Sequence, residues 1–250
     1  VTATAIGWIA PDWPVPEHVR VLSTLRAGGV SEGSYASLNL AAHVGDRADA
    51  VVANRRLLGV AAHLPAEPLW LEQVHGNDVV RHAGSARTPP RADAAVAFET
   101  DRVCVVMTAD CLPVVFADAG GTCVGVSHAG WRGLLGGVLQ ATIAALAVAP
   151  SDLHAWLGPA IGPGAFEVGP EVREAYLANL AVPGTGSCFV LNQRGRYLAD
   201  LYGLARLVLA QAGVGSVHGG GWCTHDDAGR FYSFRRDGIT GRMATLAWLA

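Results

Sequence analysis

The sequence predicts an α+β fold with mixed sheets. Helix-like and strand-like segments are interleaved without the strict alternation that builds a doubly wound parallel sheet. Two of the strand-like runs flank a glycine turn and read as an antiparallel hairpin. Of the 250 residues, 51% are hydrophobic and 16% charged, which supplies a sizeable core and excludes disorder. One domain spanning residues 1–250 is expected at this length.

The elements follow in order. Asp46 is placed to cap a helix over 47–58 that stops at Gly59. β-branched runs predict strands at 103–107, 112–118 and 122–128. A buried helix is expected over 133–148, in a charge-free stretch too rich in glycine and polar residues for a membrane span. Another strand falls at 155–157, and Pro170 after Gly169 opens a helix through Tyr176. A strand at 188–191 precedes an amphipathic helix that starts at Asp200 and ends before Gly213. Thr240 is expected to cap a last helix through Leu249. Segments 84–90 and 182–187 read as surface loops.

The net charge is −3, and all 18 basic residues are arginine. Without lysine there is no Walker-type P-loop, Schiff-base chemistry or lysine-activated nucleophile. No basic run exists, so nucleic acid and anionic membrane are not expected partners. The five cysteines, Cys104, Cys111, Cys123, Cys188 and Cys223, are odd in number and form no CxxC pair. They read as reduced thiols of a cytoplasmic protein. No basic segment precedes an apolar one in the first twenty residues, so no signal peptide is expected.

The hairpin carries the chemistry. If Ala119-Gly120 forms its turn, Cys111 lies directly opposite His128, with Cβ atoms roughly 4.5–5.5 Å apart. If Gly120-Gly121 forms it, Cys111 faces Gly130 and His128 is a diagonal neighbour. A thiol beside an imidazole is an activated nucleophile, a pair of metal ligands or two packed core residues. His75, read with Gln73 on one face of a strand, supplies a third nitrogen or sulfur donor. His, Cys, His plus an open position is the composition of a catalytic zinc centre, although the spacing matches no local metal signature. His43, in a loop after Asn39, is a candidate acid or base; a turn held by Asx hydrogen bonds is the plainer alternative. Arg132 at the start of the buried helix, and Arg26 or Arg235 in turns, are candidate anion anchors, with surface ion pairs as the alternative for Arg235.

Other motifs are excluded. Gly29-Val30-Ser31-Glu32-Gly33 fits G-x-S-x-G, but no clear helix follows as a nucleophile elbow needs. HExxH, the cytidine-deaminase zinc motif, a dinucleotide glycine motif and His-x-His pairs are all missing.

Taken together, the segments resemble the YfiH family, also called the laccase-domain or polyphenol oxidase family. The resemblance rests on Thr24-Leu25-Arg26-Ala27-Gly28-Gly29-Val30-Ser31, Asn39-Leu40 with His43-Val44-Gly45-Asp46, and Gln73-Val74-His75-Gly76. It continues through Thr108-Ala109-Asp110-Cys111-Leu112-Pro113, Ser127-His128-Ala129-Gly130-Trp131-Arg132-Gly133 and Gly158-Pro159-Ala160-Ile161-Gly162. Phe166-Glu167-Val168-Gly169 and Tyr232-Ser233-Phe234-Arg235-Arg236-Asp237 complete it, in order along almost the whole chain.

The resemblance implies a layered α/β/β/α domain with zinc on His75, Cys111 and His128. It implies phosphorolysis of adenosine, inosine and S-methyl-5'-thioadenosine to free base and the corresponding ribose 1-phosphate, which keeps the methylthio group in the last case, with adenosine deamination in the same site. On this scheme Cys111 and His128 belong to the catalytic group, His43 moves protons, Asn39 binds a sugar hydroxyl, and Arg132, Arg26 or Arg235 anchors phosphate. Competing expectations are a metal-free Cys–His hydrolase, an amidohydrolase editing peptidoglycan precursors, a copper-dependent polyphenol oxidase, and a binding protein without turnover. A monomer is expected for a chain of this size.

Overall fold

The computed structural model describes residues 5–84, 86–180 and 182–250. The first four residues, Ser85 in the loop expected at 84–90, and Ala181 lie outside the described residues.

Side-chain alternation within the strands sets the layers. In β5 (Cys104–Thr108), Cys104 and Val106 join one apolar cluster while Val105 and Met107 join another, as a period of two requires. β13 (Met243–Leu249) divides likewise, with Ala247 and Leu249 on one face and Ala244, Leu246 and Trp248 on the other. With β1 (Trp8–Ile9) and β2 (Val19–Thr24) these strands form an antiparallel sheet in the order β1-β2-β13-β5.

A second, mixed sheet holds β3 (Val79–Arg81), β4 (Ala94–Ala97), β6 (Leu112–Asp118), β7 (Val124–Ala129), β8 (Leu153–Leu157) and β12 (Ser216–Gly219). Its order is β12-β8-β6-β7-β4-β3, parallel only at the two outer pairs. A small antiparallel sheet is made by β9 (Glu167–Val168), β10 (Phe189–Leu191) and β11 (Tyr197–Ala199).

Val21, Val106 and Ala247 pack against Val115, Val126 and Trp156 to fill the space between the two large sheets. The outer face of the mixed sheet, with Val114 and Phe116, is covered by α3 (Val138–Leu146) and α5 (Leu201–Gln211). Leu58 of α1 (Ala48–Ala61) packs with Leu246 and Trp248 on the outer face of the other sheet. Each large aliphatic side chain buried this way contributes about 1.5–3 kcal/mol. The result is the single α/β/β/α domain that the resemblance implied. Among the described residues, no helix is long and apolar enough to cross a membrane.

Several boundaries differ from expectation for identifiable reasons. Asp46 accepts from the adjacent Arg47 N–H and spends its other oxygen on Ser31 and Asn39, so Arg47 is the N-cap of α1, and the helix runs past Gly59 to Ala61. α4 (Pro170–Asn179) opens at the expected proline and continues beyond Tyr176. The helix expected over 133–148 is split into α2 (Trp131–Leu135) and α3, because Gly137 turns the chain at φ 89°. Asp200 caps α5 as expected, accepting from Gly203 N at 2.9 Å.

The helix expected after Thr240 is instead β13. Met, Ala and Leu favour a helix locally, but this segment pairs on both sides, with β2 and β5, and buries both its faces. Tertiary pairing outweighs propensity there.

Candidate metal centre

The site lies where the chain crosses from one large sheet to the other. Thr108 pairs with Met243 in the first sheet and Leu112 with Ala129 in the second, so Ala109, Asp110 and Cys111 make the crossing. Asp110 adopts φ 91°, outside the usual range for a residue with a side chain. Its carboxylate holds that bend by accepting from Thr224 Oγ1 at 2.6 Å, Ser233 Oγ at 3.0 Å and Arg235 N at 2.7 Å.

The hairpin takes the second of its two possible registers. Pro113 pairs with His128, which places Cys111 across from Gly130 and makes His128 its diagonal neighbour. Asp118 sets this register by gathering the turn, accepting from Thr122 N at 2.7 Å and Cys123 N at 2.8 Å. Glycine is required opposite the thiol, since a Cβ on Gly130 would lie 2.9 Å from Cys111 Sγ.

His128 is the next-to-last residue of β7 and is 3% exposed. Its Nδ1 donates to Asp93 Oδ1 at 2.8 Å, which leaves Nε2 as its free donor atom. His75 is not on a strand, contrary to the sequence reading; it stands in a bend at φ 61°. The cause is again Asp93. The backbone N–H groups of Val74, His75 and Gly76 converge on its carboxylate at 3.1, 2.9 and 2.7 Å instead of joining a ladder. Gln73 fastens the same loop to β5, accepting from Met107 N and donating to Met107 O.

Thus one buried carboxylate positions both imidazoles. The donor atoms of His75, Cys111 and His128 all lie within 4.8 Å of one another. His75 Nε2 is 3.9 Å from Cys111 Sγ, and the two imidazole rings stand 4.7 Å apart. A thiolate with two neutral imidazoles, one of them backed by a carboxylate, is a donor set that suits zinc or another borderline-soft transition metal. The residues therefore fit such an ion.

The cluster is polarised even without it. Burial alone would raise the Cys111 thiol, but His128 and then His75 outweigh burial and bring it to about 6. Burial would lower His128, but Cys111 and Asp93 raise it to about 9. Both shifts run in the direction that favours a thiolate–imidazolium pair in the metal-free cluster. Alkylation of Cys111 by iodoacetamide, followed by peptide mass spectrometry after chelation, is expected to reach half its plateau rate near pH 6. An ordinary thiol does so near pH 8.5. A rate still climbing at pH 9 would contradict the pairing. Cys104, Cys123 and Cys188 are buried with raised pKa values, so they stay unlabelled.

A cavity of about 210 Å³ opens on the cluster, lined also by His43, Gln73, Met107, Thr108, Phe234 and Arg242. His43 thus stands with the trio; burial, Arg242 and Arg55 lower its pKa and keep it neutral. The other expected residues do not line the cavity. Asn39 is fully buried and bonds Ala41, Asp46 and the Arg242 backbone. Arg26 is tied to Ala36 O and Ala228 O and lies over Tyr232. Arg132 is exposed over Trp131, and Arg235 donates to Glu167 O beside Phe166.

Asp93 and Arg242 were not found in the sequence. Asp93 had a usable signal, a lone carboxylate opening an otherwise apolar strand. Arg242 carries no such signal, because the sequence around it predicts a helix where the structure has β13.

Fold and cluster together define a layered α+β domain with a candidate transition-metal centre. A family model described as multi-copper polyphenol oxidoreductase laccase matches residues 20–250. The chain is 51% identical over 241 residues to purine nucleoside phosphorylase YfiH of Escherichia coli (strain K12), covering 96% of this chain and 98% of that protein. It is 52% identical over 244 residues to purine nucleoside phosphorylase PA4543 of Pseudomonas aeruginosa, covering 97% and 98%. The crystal structure of NMB0706 from Neisseria meningitidis matches with a TM-score of 0.92 at 50% identity, covering 97% of this chain and 98% of that one. The chain belongs to the YfiH, or laccase-domain, family.

Proposed function

We propose that this protein is a zinc-dependent purine nucleoside phosphorylase of the cytoplasm, acting as a monomer on adenosine, inosine and S-methyl-5'-thioadenosine, with adenosine deaminase activity in the same cavity. The observation that carries the reading is the His75–Cys111–His128 cluster at the wall of a cavity that also holds a neutral histidine, an arginine and an aromatic ring. The names of the relatives at about half identity support the substrate class.

His75, Cys111 and His128 would hold the ion, which supplies Lewis acidity at the cavity wall when bound. Phe234, 58% exposed at the cavity, offers its ring face to a purine. In phosphorolysis the bond from the ribose anomeric carbon to the base breaks, a bond from that carbon to a phosphate oxygen forms, and the departing base takes a proton. In deamination water adds at purine C6 and ammonia leaves. His43, neutral at pH 7, accepts and returns the proton in either reaction.

Elemental analysis and a nucleoside panel with and without phosphate test this. Near-stoichiometric zinc, base release only with phosphate, and ammonia from adenosine without it are expected. No base release, or stoichiometric copper with phenol oxidation, overturns the proposal.

The Cys111–His128–Asp93 chain favours one second reading, a Cys–His hydrolase. Turnover that survives chelation and is abolished by alkylation would select it.

A further inference from the structure

We infer that Arg242 forms an oxyanion subsite in the cavity and holds the free phosphate co-substrate. The assignment rests on the phosphorolysis reading for the identity of the anion, not for the existence of the subsite.

Arg242 is the one arginine among the residues lining the cavity. Its Nη1 is spent on two backbone carbonyls, Thr240 O at 2.9 Å and Gly241 O at 3.0 Å. No other hydrogen bond of its side chain is made within the described residues, and no carboxylate among them reaches ion-pair distance. The unused edge is the one carrying Nε and Nη2. That edge presents two parallel N–H groups, the pattern that grips a phosphate or carboxylate with both prongs.

The contrast with Arg26 is direct, because there the same edge is closed on Ala36 O. A partly buried guanidinium with no carboxylate in direct contact is costly, although Cys111 and Asp110 favour its charge from farther off, so the fold has to hold it in place. It does so at three points. Asn39 Oδ1 accepts from Arg242 N at 3.0 Å, Leu40 N donates to Arg242 O at 3.4 Å, and the guanidinium lies 5.7 Å from the centre of the Phe234 ring. A cation braced this way, open on its forked edge and facing a cavity, is a receptor for an anion that arrives with the substrate. Asn39, expected to bind sugar, serves here as the brace.

The test is calorimetric titration of inorganic phosphate into the purified protein and its Arg242→Gln variant, without nucleoside, beside the phosphate KM measured with inosine. Phosphate affinity is expected to fall about 10- to 100-fold, and phosphate KM to rise as much, while inosine KM moves less than about threefold. Arg242→Lys, which keeps the charge and loses the fork, should fall between. It also serves as the variant to read if Arg242→Gln does not fold.

Wild-type phosphate affinity in either folded variant overturns the assignment. Inosine 5'-monophosphate is titrated in parallel, and a loss confined to it also overturns the assignment, because the anion would then be carried by the substrate. If the purified protein binds phosphate through Arg242 yet leaves inosine intact, the subsite stands and the phosphorolysis reading fails.

Discussion

His75→Ala is expected to lose its metal and its nucleoside turnover while keeping its fold. The imidazole is exposed in a loop and its nearest neighbours are the other two donor residues, so the melting temperature of the metal-free form should match that of the metal-free parent. Metal affinity should drop by more than the roughly 10- to 100-fold typical of losing a group behind the ligands, because a direct donor is removed. Competition with a chromogenic chelator, read beside phosphorolysis rates, checks both effects. Normal metal content together with normal turnover would remove the scheme.

Asp93→Ala is expected to cost more than any ligand substitution in stability. The wild-type carboxylate is fully buried and takes N–H groups from Val74, His75, Gly76 and His128. Removing it leaves the buried His128 Nδ1–H and three half-buried backbone N–H groups without their acceptor, and the His75 loop without its anchor. Loss of one partner from a buried charge pair costs about 3–5 kcal/mol.

Asp93→Asn separates stability from positioning. It keeps the shape and one accepting oxygen, so the chain should fold, but it presents an NH2 group to N–H donors and can no longer hold His128 in one tautomer. Metal affinity about 10- to 100-fold below the parent is expected from chelator competition. Denaturant unfolding of Asp93→Ala at wild-type stability, or Asp93→Asn with unchanged affinity, would show that the carboxylate is incidental.

The pH dependence of Asp93 has a definite sign. Burial opposes ionisation, but His128 and the Gly76 and Val74 N–H groups prevail and hold its carboxyl below the ordinary value. Its contribution is complete above the usual carboxylate range and is lost as pH falls through the depressed folded value.

Residues that meet through a local device could be read from the chain. Cys111 and His128 were legible because an Asp-Ala-Gly-Gly turn closes a hairpin around them. Even so, the turn alone allowed two registers, and the choice depended on Asp118 collecting the N–H groups of Thr122 and Cys123. His75 is legible by residue type but not by conformation, since the expected strand is a bend. Three backbone donors bend toward a carboxylate that enters from β4, and no pattern within the loop reveals this. Arg242 was lost for a related reason. The segment after it has helix-forming composition, and only its position between β2 and β5 makes it a strand. The small edge strands and β2 also went unread, since their identity is fixed by neighbours far along the chain.

The crossing from β5 to β6 has a further consequence. One donor sits on a bridge between the sheets, one on a strand end, and one on a loop pinned from a third strand, so an incompletely assembled chain has nowhere to put an ion. Whatever free energy a bound ion releases is therefore credited to the finished sandwich as a whole. Occupancy of the centre and stability of the fold are thereby thermodynamically linked, so loading raises the stability of a sandwich that already folds without the ion.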